Sequence, residues 1–288
     1  MSMENTTPLM ELEDATVVFG DGPDRTIANY KVNLRLDESP ARIISIVGES
    51  GSGKTTATRV LLGLQPLTSG AARWRGKDIG TLSKKELIAF RREVQAIFQD
   101  PYGIFNPYYK IDRVFTMAIR KFRLAKNKAH RQELIEDALA AVNLRPLDVL
   151  GKYPHQLSGG ERQRVMLARA YMLKPKVIVA DEAISMLDVA VRAVIMNILL
   201  DFKEKLGIST IFITHDLSAA HYLGGDIMVM KRGRVVERGD VDDVLSNPAH
   251  VYTRLLLESI PSPDPDISWT TTAEDIAALS EDAGVSAV

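Results

Sequence analysis

The sequence contains no cysteine, which excludes disulfide bridges, thiolate zinc sites and cysteine-ligated iron–sulfur clusters and fits a reducing cytoplasm. Long hydrophobic runs are also missing: IISIV, VIVA and TIFI are far shorter than the about 20 apolar residues of a membrane-spanning helix. The first residues carry no basic leader, so we expect no signal peptide. The 36 Lys and Arg nearly balance the 37 Asp and Glu, which disfavours nonspecific binding to nucleic acid.

Short β-branched segments alternate with helical patterns over residues 1–260, an order typical of crossover units and a mainly parallel sheet. From about residue 110 to 173 the strand signal disappears, and apolar residues recur at helical spacing. We therefore expect an α/β fold with a helical subdomain, at about residues 100–173, inserted into the core. Strands are predicted at residues 43–47, 177–180 and 210–214, with a hairpin of residues 227–230 and 235–237 at the edge of the sheet.

The end of the chain differs from the rest. Residues 261–288 carry six acids, three prolines near their start and no Lys or Arg. Such a composition is typical of a linker followed by a loosely docked tail. We expect one folded domain over residues 1–260 and an acidic, proline-containing tail over residues 261–288.

A glycine-rich segment, residues 48–55, follows the P-loop pattern G-x-x-x-x-G-K-[ST] after a predicted strand and at the start of a predicted helix. Glycines let successive backbone N–H groups turn toward phosphate oxygens, and the helix end adds partial positive charge. We expect Lys54 to bridge the β- and γ-phosphates of a nucleotide and Thr55 to hold Mg²⁺; a purely structural turn is the alternative. The residues predicted to bind the nucleotide here are Gly48, Ser50, Gly51, Ser52, Gly53, Lys54, Thr55 and Thr56.

Two carboxylates, Asp181 and Glu182, follow the predicted strand at residues 177–180. Acids at the mouth of a parallel sheet are costly unless they meet a cation, and beside a P-loop that cation is Mg²⁺, bound by the first acid. Glu182 is then expected to point at the γ-phosphate and to orient or deprotonate the attacking water. The alternative is that both carboxylates cap the helix that follows.

A third motif, LSGGERQ at residues 157–163, places a serine and two glycines at the start of a predicted helix, which makes a second anion site. Together with the P-loop, the acid pair, SMLD at residues 185–188 and THD at residues 214–216, it resembles the nucleotide-binding subunit of an ATP-binding cassette (ABC) transporter. The resemblance covers nearly all of residues 10–260. It implies a P-loop NTPase fold with a mainly parallel core sheet, an antiparallel β subdomain and an inserted helical subdomain, and it implies ATP and Mg²⁺ as cofactors.

The same resemblance implies that each ATP is shared between two subunits. Ser158, Gly159 and Gly160 would contact the γ-phosphate of the ATP held on the P-loop of the opposite subunit. Asp188 would organise the contact between the subunits.

Three more positions take their expected roles from this family. His215 would hold the γ-phosphate and the water, and Gln99 would reach Mg²⁺ and the water and report to the membrane subunits. Phe19, upstream of the P-loop, lies in the region of the aromatic residue that stacks on adenine. A core position is the alternative for Phe19 and for His215.

Two stretches are similar to the ATPases of oligopeptide and dipeptide importers. Residues 99–107 resemble FQDPxxSLNP, and residues 250–261 resemble HPYTRxLLxxIP. Ala183 departs from the family because a proline usually follows the Glu, residues 104–105 (Ile-Phe) replace a Ser-Leu pair, and Val251 replaces a proline. These departures leave the subgroup open and do not touch the ATPase residues.

The resemblance implies an ATP-hydrolysing subunit, peripheral on the cytoplasmic face of the cell membrane, that energises an importer for oligopeptides or a related solute such as nickel or an oligosaccharide. Transmembrane permease subunits, a second ATPase subunit and, indirectly, a solute-binding protein are the expected partners, without nucleic acid. One copy of each motif requires a dimer; we favour a heterodimer because such importers usually employ two different ATPases, and a homodimer stays open. The alternative is a soluble ABC-type ATPase acting on nucleic acid or ribosomes, but the interval from Lys54 to Gln156 leaves no room for a long coiled-coil arm.

Two surface features complete the predictions. The segment between Gln99 and Lys110 is rich in aromatics and prolines, and exposed aromatics usually mark a contact surface. We expect Phe105 and Tyr108 to border a groove that receives a short cytoplasmic helix of the membrane subunit. The basic run within residues 120–131 is either a solvated face or a contact for anionic lipid headgroups.

Overall fold

The computed structural model describes residues 7–100 and 103–259; the predicted acidic tail, residues 261–288, lies outside the described residues. Within the described ranges, strands form two sheets and helices pack against them. The strands are β1 (Met10–Phe19), β2 (Thr26–Leu36), β3 (Ile43–Val47), β4 (Ser69–Trp74), β5 (Lys77–Asp78), β6 (Val94–Ile97), β7 (Val177–Asp181), β8 (Ser209–Thr214), β9 (Asp226–Lys231) and β10 (Arg234–Asp240). The helices are α1 (Lys54–Leu61), α2 (Lys84–Glu93), α3 (Asp112–Phe122), α4 (Lys128–Ala140), α5 (Pro146–Val149), α6 (Gly159–Met172), α7 (Val189–Leu206), α8 (Leu217–Leu223), α9 (Val241–Ser246) and α10 (Val251–Glu258).

The larger sheet has the strand order β10-β9-β3-β8-β7-β6. Its pairs are parallel except for the edge pair of β9 and β10, which is antiparallel. The mainly parallel core and the edge hairpin are therefore confirmed, although β10 extends beyond the predicted residues 235–237 at both ends. All residues of β3 and β7 are buried, as expected for central parallel strands that are covered on both faces.

Alternation of side chains along the central strands divides the core into layers. In β7, Val177 and Val179 pack into a cluster with residues of the smaller sheet. Ile178 and Ala180, which point the other way, belong to a cluster built with α3, α4, α6 and α7. The large sheet thus lies between the small sheet, which packs together with α1 and α2, on one side and α3, α4, α6 and α7 on the other.

The smaller sheet has the order β2-β1-β4-β5 and is antiparallel throughout. It is the antiparallel β subdomain that the resemblance implies. Between β6 and β7 the described residues contain helices and turns but no strand, which confirms the inserted helical region. In the part of the chain that the structure describes, no helix combines the length and the apolar character needed to cross a bilayer.

Candidate active site

The P-loop connects β3 to α1 and lies tightly against neighbouring backbone. Gly48 has a φ of +148° and Gly53 a φ of +100°, conformations that residues with a Cβ rarely adopt. A Cβ on Gly48 would lie 2.1 Å from the carbonyl oxygen of Met230, and one on Gly53 would lie 2.3 Å from that of Ala28. Glycine is therefore required at both positions by conformation and by space.

Lys54, the first residue of α1, is 4% exposed, and its ammonium group turns back onto the loop. Its Nζ donates hydrogen bonds of 2.7 Å to the carbonyl oxygens of Gly48 and Glu49. Burial lowers the pKa of Lys54, and the nearby carboxylates of Glu182 and Asp181 oppose this shift. The loop thus carries a buried cation beside the acid pair.

Asp181 ends β7, and it is 7% exposed. Burial and the charge of Glu182 raise the pKa of Asp181, while Arg59, Lys54 and the Thr55 hydroxyl oppose the shift. Its Oδ1 atom is buried and has no hydrogen-bond partner among the described residues. A buried carboxylate oxygen in this state favours an additional cation.

Glu182 has a left-handed backbone, with a φ of +47°, which is costly for a residue other than glycine. Its N–H donates to the carbonyl oxygen of Ile213 on β8, at 3.0 Å, which fixes this conformation. The carboxylate therefore leaves the sheet in a direction set by the backbone.

His215 follows β8, and its side chain is 57% exposed, so the core alternative for this histidine is wrong. Its Nδ1 lies 3.8 Å from Oε2 of Glu182.

The next residue, Asp216, caps α8 and lies 3.5 Å from Nη1 of Arg192 on α7. Arg192 also donates to the carbonyl oxygen of Leu187, which ties the SMLD segment to the turn that carries His215. Arg192 was not predicted from the sequence, although a basic residue shortly after Asp188 is a visible signal.

The LSGGERQ motif forms the start of α6. The Ser158 Oγ accepts a hydrogen bond of 3.2 Å from the N–H of Glu161, and the Glu161 carboxylate accepts one of 2.8 Å from the N–H of Ser158. A Cβ on Gly160 would lie 2.4 Å from Cγ1 of Val191 on α7, so the starts of α6 and α7 pack closely. Gly159 is the first residue of α6.

The surface around the starts of α6 and α7 is open to solvent. Ser158 and Asp188 are exposed, and two apolar neighbours, Met186 and Val189, are 59% and 80% exposed. The structure therefore brings Lys54, Asp181, Glu182 and His215 together in one group and presents Ser158 with Asp188 on an exposed face.

Gln99 is exposed, just after β6. The preceding carbonyl, that of Phe98, accepts a hydrogen bond of 3.3 Å from Nε2 of Gln163 on α6, which joins this segment to the LSGGERQ helix.

Phe19 ends β1 and is 43% exposed, so the alternative that it is a core residue is wrong as well.

A groove of about 1400 Å³ lies beside Phe98, between α2, α3 and the segment that follows Gln99. Tyr108 is 86% exposed and borders this groove, as predicted. The same prediction for Phe105 is wrong: it is 5% exposed and packs in the core with α3 and α6, where its ring is removed from water. Ile104, its neighbour, lines the groove instead.

The basic run within residues 120–131 covers the end of α3, the connecting turn and the start of α4. Its Lys and Arg side chains form no salt bridge with another residue of the ranges that the structure describes. The solvated-face and lipid-headgroup interpretations both stay predictions.

Together, the two sheets, the helical insertion and the P-loop beside an acid pair define the chain as a P-loop ATPase of the ATP-binding cassette class. Comparison with known proteins agrees. The ABC transporter family matches residues 32–185, and the family "Oligopeptide/dipeptide transporter, C-terminal region" matches residues 236–284. The chain belongs to the ABC transporter family, and it is an ATP-binding and ATP-hydrolysing subunit of such a transporter.

Individual relatives support the same conclusion. Oligopeptide transport ATP-binding protein OppF of Streptococcus mutans is 39% identical over 265 residues, which cover 91% of this chain and 84% of that protein. The protein of the same name in Escherichia coli is 36% identical over 264 residues, covering 92% of this chain and 78% of that protein. These matches do not favour the alternative of a soluble ATPase acting on nucleic acid or ribosomes.

Solved structures give the same fold. The ATP-binding cassette MJ0796, in a dimeric post-hydrolysis structure bound to ADP and Pi, superposes with a TM-score of 0.70 at 29% identity over 81% of this chain and 98% of that one. The protein cbiO1 from Clostridium perfringens, part of the ABC transporter complex cbiONQ, gives a TM-score of 0.72 at 25% identity over 88% of this chain and 96% of that one.

Proposed function

We propose that this chain hydrolyses ATP at a site whose first half is the P-loop with the adjoining acid pair. Lys54 would bind the β- and γ-phosphates, and backbone N–H groups of the loop would surround them. Phe19, exposed at the end of β1, would stack on the adenine. The other residues proposed to contact the phosphates from this half are Gly48, Ser50, Gly51, Ser52, Gly53, Thr55 and Thr56.

Mg²⁺ fits the oxygen donors available here. We assign Asp181, Thr55 and Gln99 as its ligands, because carboxylate, hydroxyl and amide oxygens are the hard donors that Mg²⁺ prefers. The unpartnered Oδ1 of Asp181 supports this assignment, since a cation would satisfy it. When bound, Mg²⁺ would neutralise negative charge on the phosphate oxygens.

Hydrolysis would depend on Glu182 and His215. The fixed backbone of Glu182 aims a carboxylate that can accept a proton from the attacking water. His215, at 3.8 Å from that carboxylate, would hold the γ-phosphate and keep the water in line. Gln99 would contact the same water as well as Mg²⁺.

The second half of the site would come from another subunit. The observation that carries this proposal is the exposed face formed by Ser158, Met186, Asp188 and Val189, because a second subunit bound across it would cover apolar surface that is otherwise open to solvent. Ser158, Gly159 and Gly160 would contact the γ-phosphate held on the partner's P-loop, and Asp188 would organise the contact. We favour a homologous ATPase as partner, and a homodimer is the alternative.

The transport role is proposed at the level of an oligopeptide importer, with nickel or an oligosaccharide as related alternatives. The match of residues 236–284 to the oligopeptide/dipeptide family and the names of the relatives support this solute class. Permease subunits would hold the chain at the cytoplasmic face of the membrane, and a solute-binding protein would deliver the cargo. We also propose residues 1–260 as the ATPase domain, with a helical subdomain at about 100–173, and residues 261–288 as a separate tail.

The groove beside Phe98 would receive a short cytoplasmic helix of the permease. Ile104, Tyr108 and Met117 line it and expose apolar surface to solvent, as a helix-binding groove requires. Gln99 lies next to Phe98, so the same segment would link the groove to the ATP site.

Reconstitution tests the whole proposal. The chain is purified with its permease subunits and solute-binding protein in proteoliposomes, and ATPase activity and uptake are measured with oligopeptides, Ni²⁺ and oligosaccharides in separate reactions. We expect oligopeptides to stimulate both activities. Stimulation by Ni²⁺ or oligosaccharides alone would contradict the solute class, and failure of any membrane subunit to co-purify would contradict the proposed partners.

A further inference from the structure

The P-loop is contacted from a distant part of the chain by Tyr252 on α10. The Tyr252 hydroxyl accepts a hydrogen bond of 3.0 Å from the N–H of Glu49. Tyr252 is 5% exposed, and burial raises the pKa of its hydroxyl, so the group is a neutral phenol at physiological pH. The contact links the region that matches the oligopeptide/dipeptide family to the phosphate-binding loop.

This hydrogen bond controls a peptide group that also contacts Lys54. The N–H of Glu49 and the C=O of Gly48 belong to the same planar peptide unit, so they point in opposite directions. Tyr252 holds the N–H side, and the C=O side accepts the 2.7 Å hydrogen bond from Nζ of Lys54. Fixing one side of the peptide therefore fixes the direction in which the other side receives the ammonium group.

The backbone at this peptide needs such a restraint. Gly48 has a φ of +148°, in a region open to glycine, and glycine has more backbone freedom than any other residue. Glu49 and Ser50 are exposed, and the hydrogen bonds that the Glu49 carbonyl accepts from Lys54 and from the N–H of Ser52 belong to the next peptide unit. Without the phenol oxygen, the Gly48–Glu49 peptide could rotate and turn its carbonyl away from Lys54.

Tyr252 itself is held firmly. The ammonium group of Lys231, at the end of β9, lies 5.2 Å from the centre of the Tyr252 ring. The Glu237 carboxylate accepts hydrogen bonds from the N–H groups of Ala249 and His250, and Nδ1 of His250 accepts one from the N–H of Tyr252. The hairpin of β9 and β10 thus fixes the start of α10, and α10 places the hydroxyl.

We propose that Tyr252 is a positioning residue for ATP binding: its hydroxyl orients the Gly48–Glu49 peptide, which in turn holds Lys54 in place for the phosphates. The inference rests on the proposed role of Lys54. It gives the C-terminal region a part in the nucleotide site, with Tyr252 acting through the backbone of the P-loop.

The test compares Tyr252→Phe, which removes only the hydroxyl, with Tyr222→Phe as a matched control. Tyr222 is half exposed, and its hydroxyl donates to Asn197 on α7. Hydrogen exchange at the Glu49 amide is followed by NMR on the isolated subunit without nucleotide. KM and kcat for ATP are measured on the assembled transporter, because the proposed site is shared between two subunits. We expect faster exchange at Glu49 and a KM raised about threefold to tenfold, the range of one net hydrogen bond, with kcat within about twofold of wild type. Tyr222→Phe should leave all three unchanged.

A second variant, Tyr252→Leu, separates positioning from simple loss of structure. It removes the ring that Lys231 contacts, so we expect a clearly lower Tm in addition to the raised KM. Tyr252→Phe loses only one hydrogen bond and should lower Tm by no more than about 2–4 °C. The proposal is overturned if Glu49 exchanges at the wild-type rate in Tyr252→Phe. It is also overturned if KM stays unchanged, or if kcat falls and Tm drops as far in that variant as in Tyr252→Leu.

If the proposed role of Lys54 is wrong, the measurements give a different pattern from the one that overturns the role of Tyr252. Lys54→Ala should abolish tight ATP binding while the Tyr252 hydroxyl still protects the Glu49 amide from exchange. If Lys54→Ala binds ATP like wild type, the proposed function of Lys54 fails, and the exchange data on Tyr252→Phe still decide whether the hydroxyl restrains the loop.

Discussion

The two proposed halves of the ATP site are built in different ways. The P-loop is contacted from three distant elements: Asn29 of β2 donates to the carbonyl oxygen of Gly53, the N–H of Gly233 donates to that of Ser52, and Tyr252 of α10 accepts from Glu49. Ser158, in contrast, exchanges hydrogen bonds with Glu161, a residue in the first turn of its own helix.

We call the P-loop, which distant elements hold in shape, the preorganised half of the site, and the exposed face around Ser158 the presented half. Contacts from distant elements hold the P-loop in shape before ATP arrives, which reduces the ordering cost of binding. The Ser158 face is shaped by local capping and is exposed, so it is available to a second molecule. We infer that one chain binds ATP at the P-loop by itself, whereas hydrolysis requires two chains.

Glu182→Gln should produce the largest effect, and it acts on the preorganised half. The amide cannot accept the proton of the attacking water, so turnover should fall by about 10²–10⁴-fold while ATP binding is kept. Phosphate release is measured on the assembled transporter, and ATP affinity is measured on the purified subunit. Glu204→Gln, at an exposed position on α7, is the control. A turnover near wild type for Glu182→Gln would contradict the role of this carboxylate.

Ser158→Arg tests the presented half. Bulk and positive charge at the γ-phosphate should prevent the ATP-dependent dimer, while ATP binding to the isolated subunit stays close to wild type. Size-exclusion chromatography with ATP in the Glu182→Gln background measures the dimer. Ser83→Arg removes a similar cap with Glu86 on α2 and is therefore the matched control. Equal loss of the dimer in both variants would mean that capping, not the interface, is responsible.

Neighbouring positions in the segment between Gln99 and Lys110, called here the coupling segment, should distinguish a residue that packs in the core from residues that contact the permease. Phe105→Ala should destabilise the protein by about 3–5 kcal/mol, because it empties a buried aromatic site. The double variant Ile104→Ala with Tyr108→Ala should keep the thermal stability of the wild type and a basal ATPase rate within a few-fold of it. The same variant should assemble less well with the permease and lose solute-stimulated turnover. Thermal unfolding, co-purification and uptake are compared between the two variants. Normal transport by the Ile104/Tyr108 variant would remove the groove from the coupling pathway.

The smallest effect is expected at the edge of the sheets far from the P-loop. Arg75, with Lys176, lowers the pKa of Glu38 to about 2, so the ion pairs stabilise the fold fully above about pH 4.5 and lose that contribution as the pH falls toward 2. Because these groups are substantially exposed, Glu38→Gln should cost at most about 1 kcal/mol at pH 7. Denaturant unfolding at pH 7 and below pH 4.5 should show the difference shrinking, without a change in ATP affinity. A difference that grows at low pH would contradict the assigned charge pairing.

The parts of the fold that depend on local pattern could be predicted from the sequence. The bounds of β3 match because IISIV is a continuous buried run, and the P-loop was predicted because its glycines and Lys54 are contiguous. Which residue of the coupling segment faces the groove was not predictable in the same way. Phe105 and Tyr108 have similar chemistry, and packing under α3 and α6 decides between them.

Contacts across long sequence separation were missed for a similar reason. Tyr252 touches the site only after α10 is packed, so no spacing within the sequence assigns it there. Arg192 follows Asp188 closely in the sequence, but its ion pair with Asp216 forms only when α7 packs beside the start of α8. The sequence around Tyr252 resembles that of oligopeptide and dipeptide importer ATPases, but the hydrogen bond from Glu49 to its hydroxyl follows from the fold alone.

The central claim is that ATP lies between the P-loop of one subunit and Ser158 of another, and the absence of native cysteine makes it directly measurable. Ser158→Cys is introduced in the Glu182→Gln background, and its reaction with a maleimide is timed with and without ATP, both in a verified monomer and in the assembled transporter. We predict that ATP protects the new thiol in the assembly and leaves it reactive in the monomer. Equal protection by ATP in the monomer would contradict the account, because the P-loop and Ser158 of one chain would then share the same nucleotide.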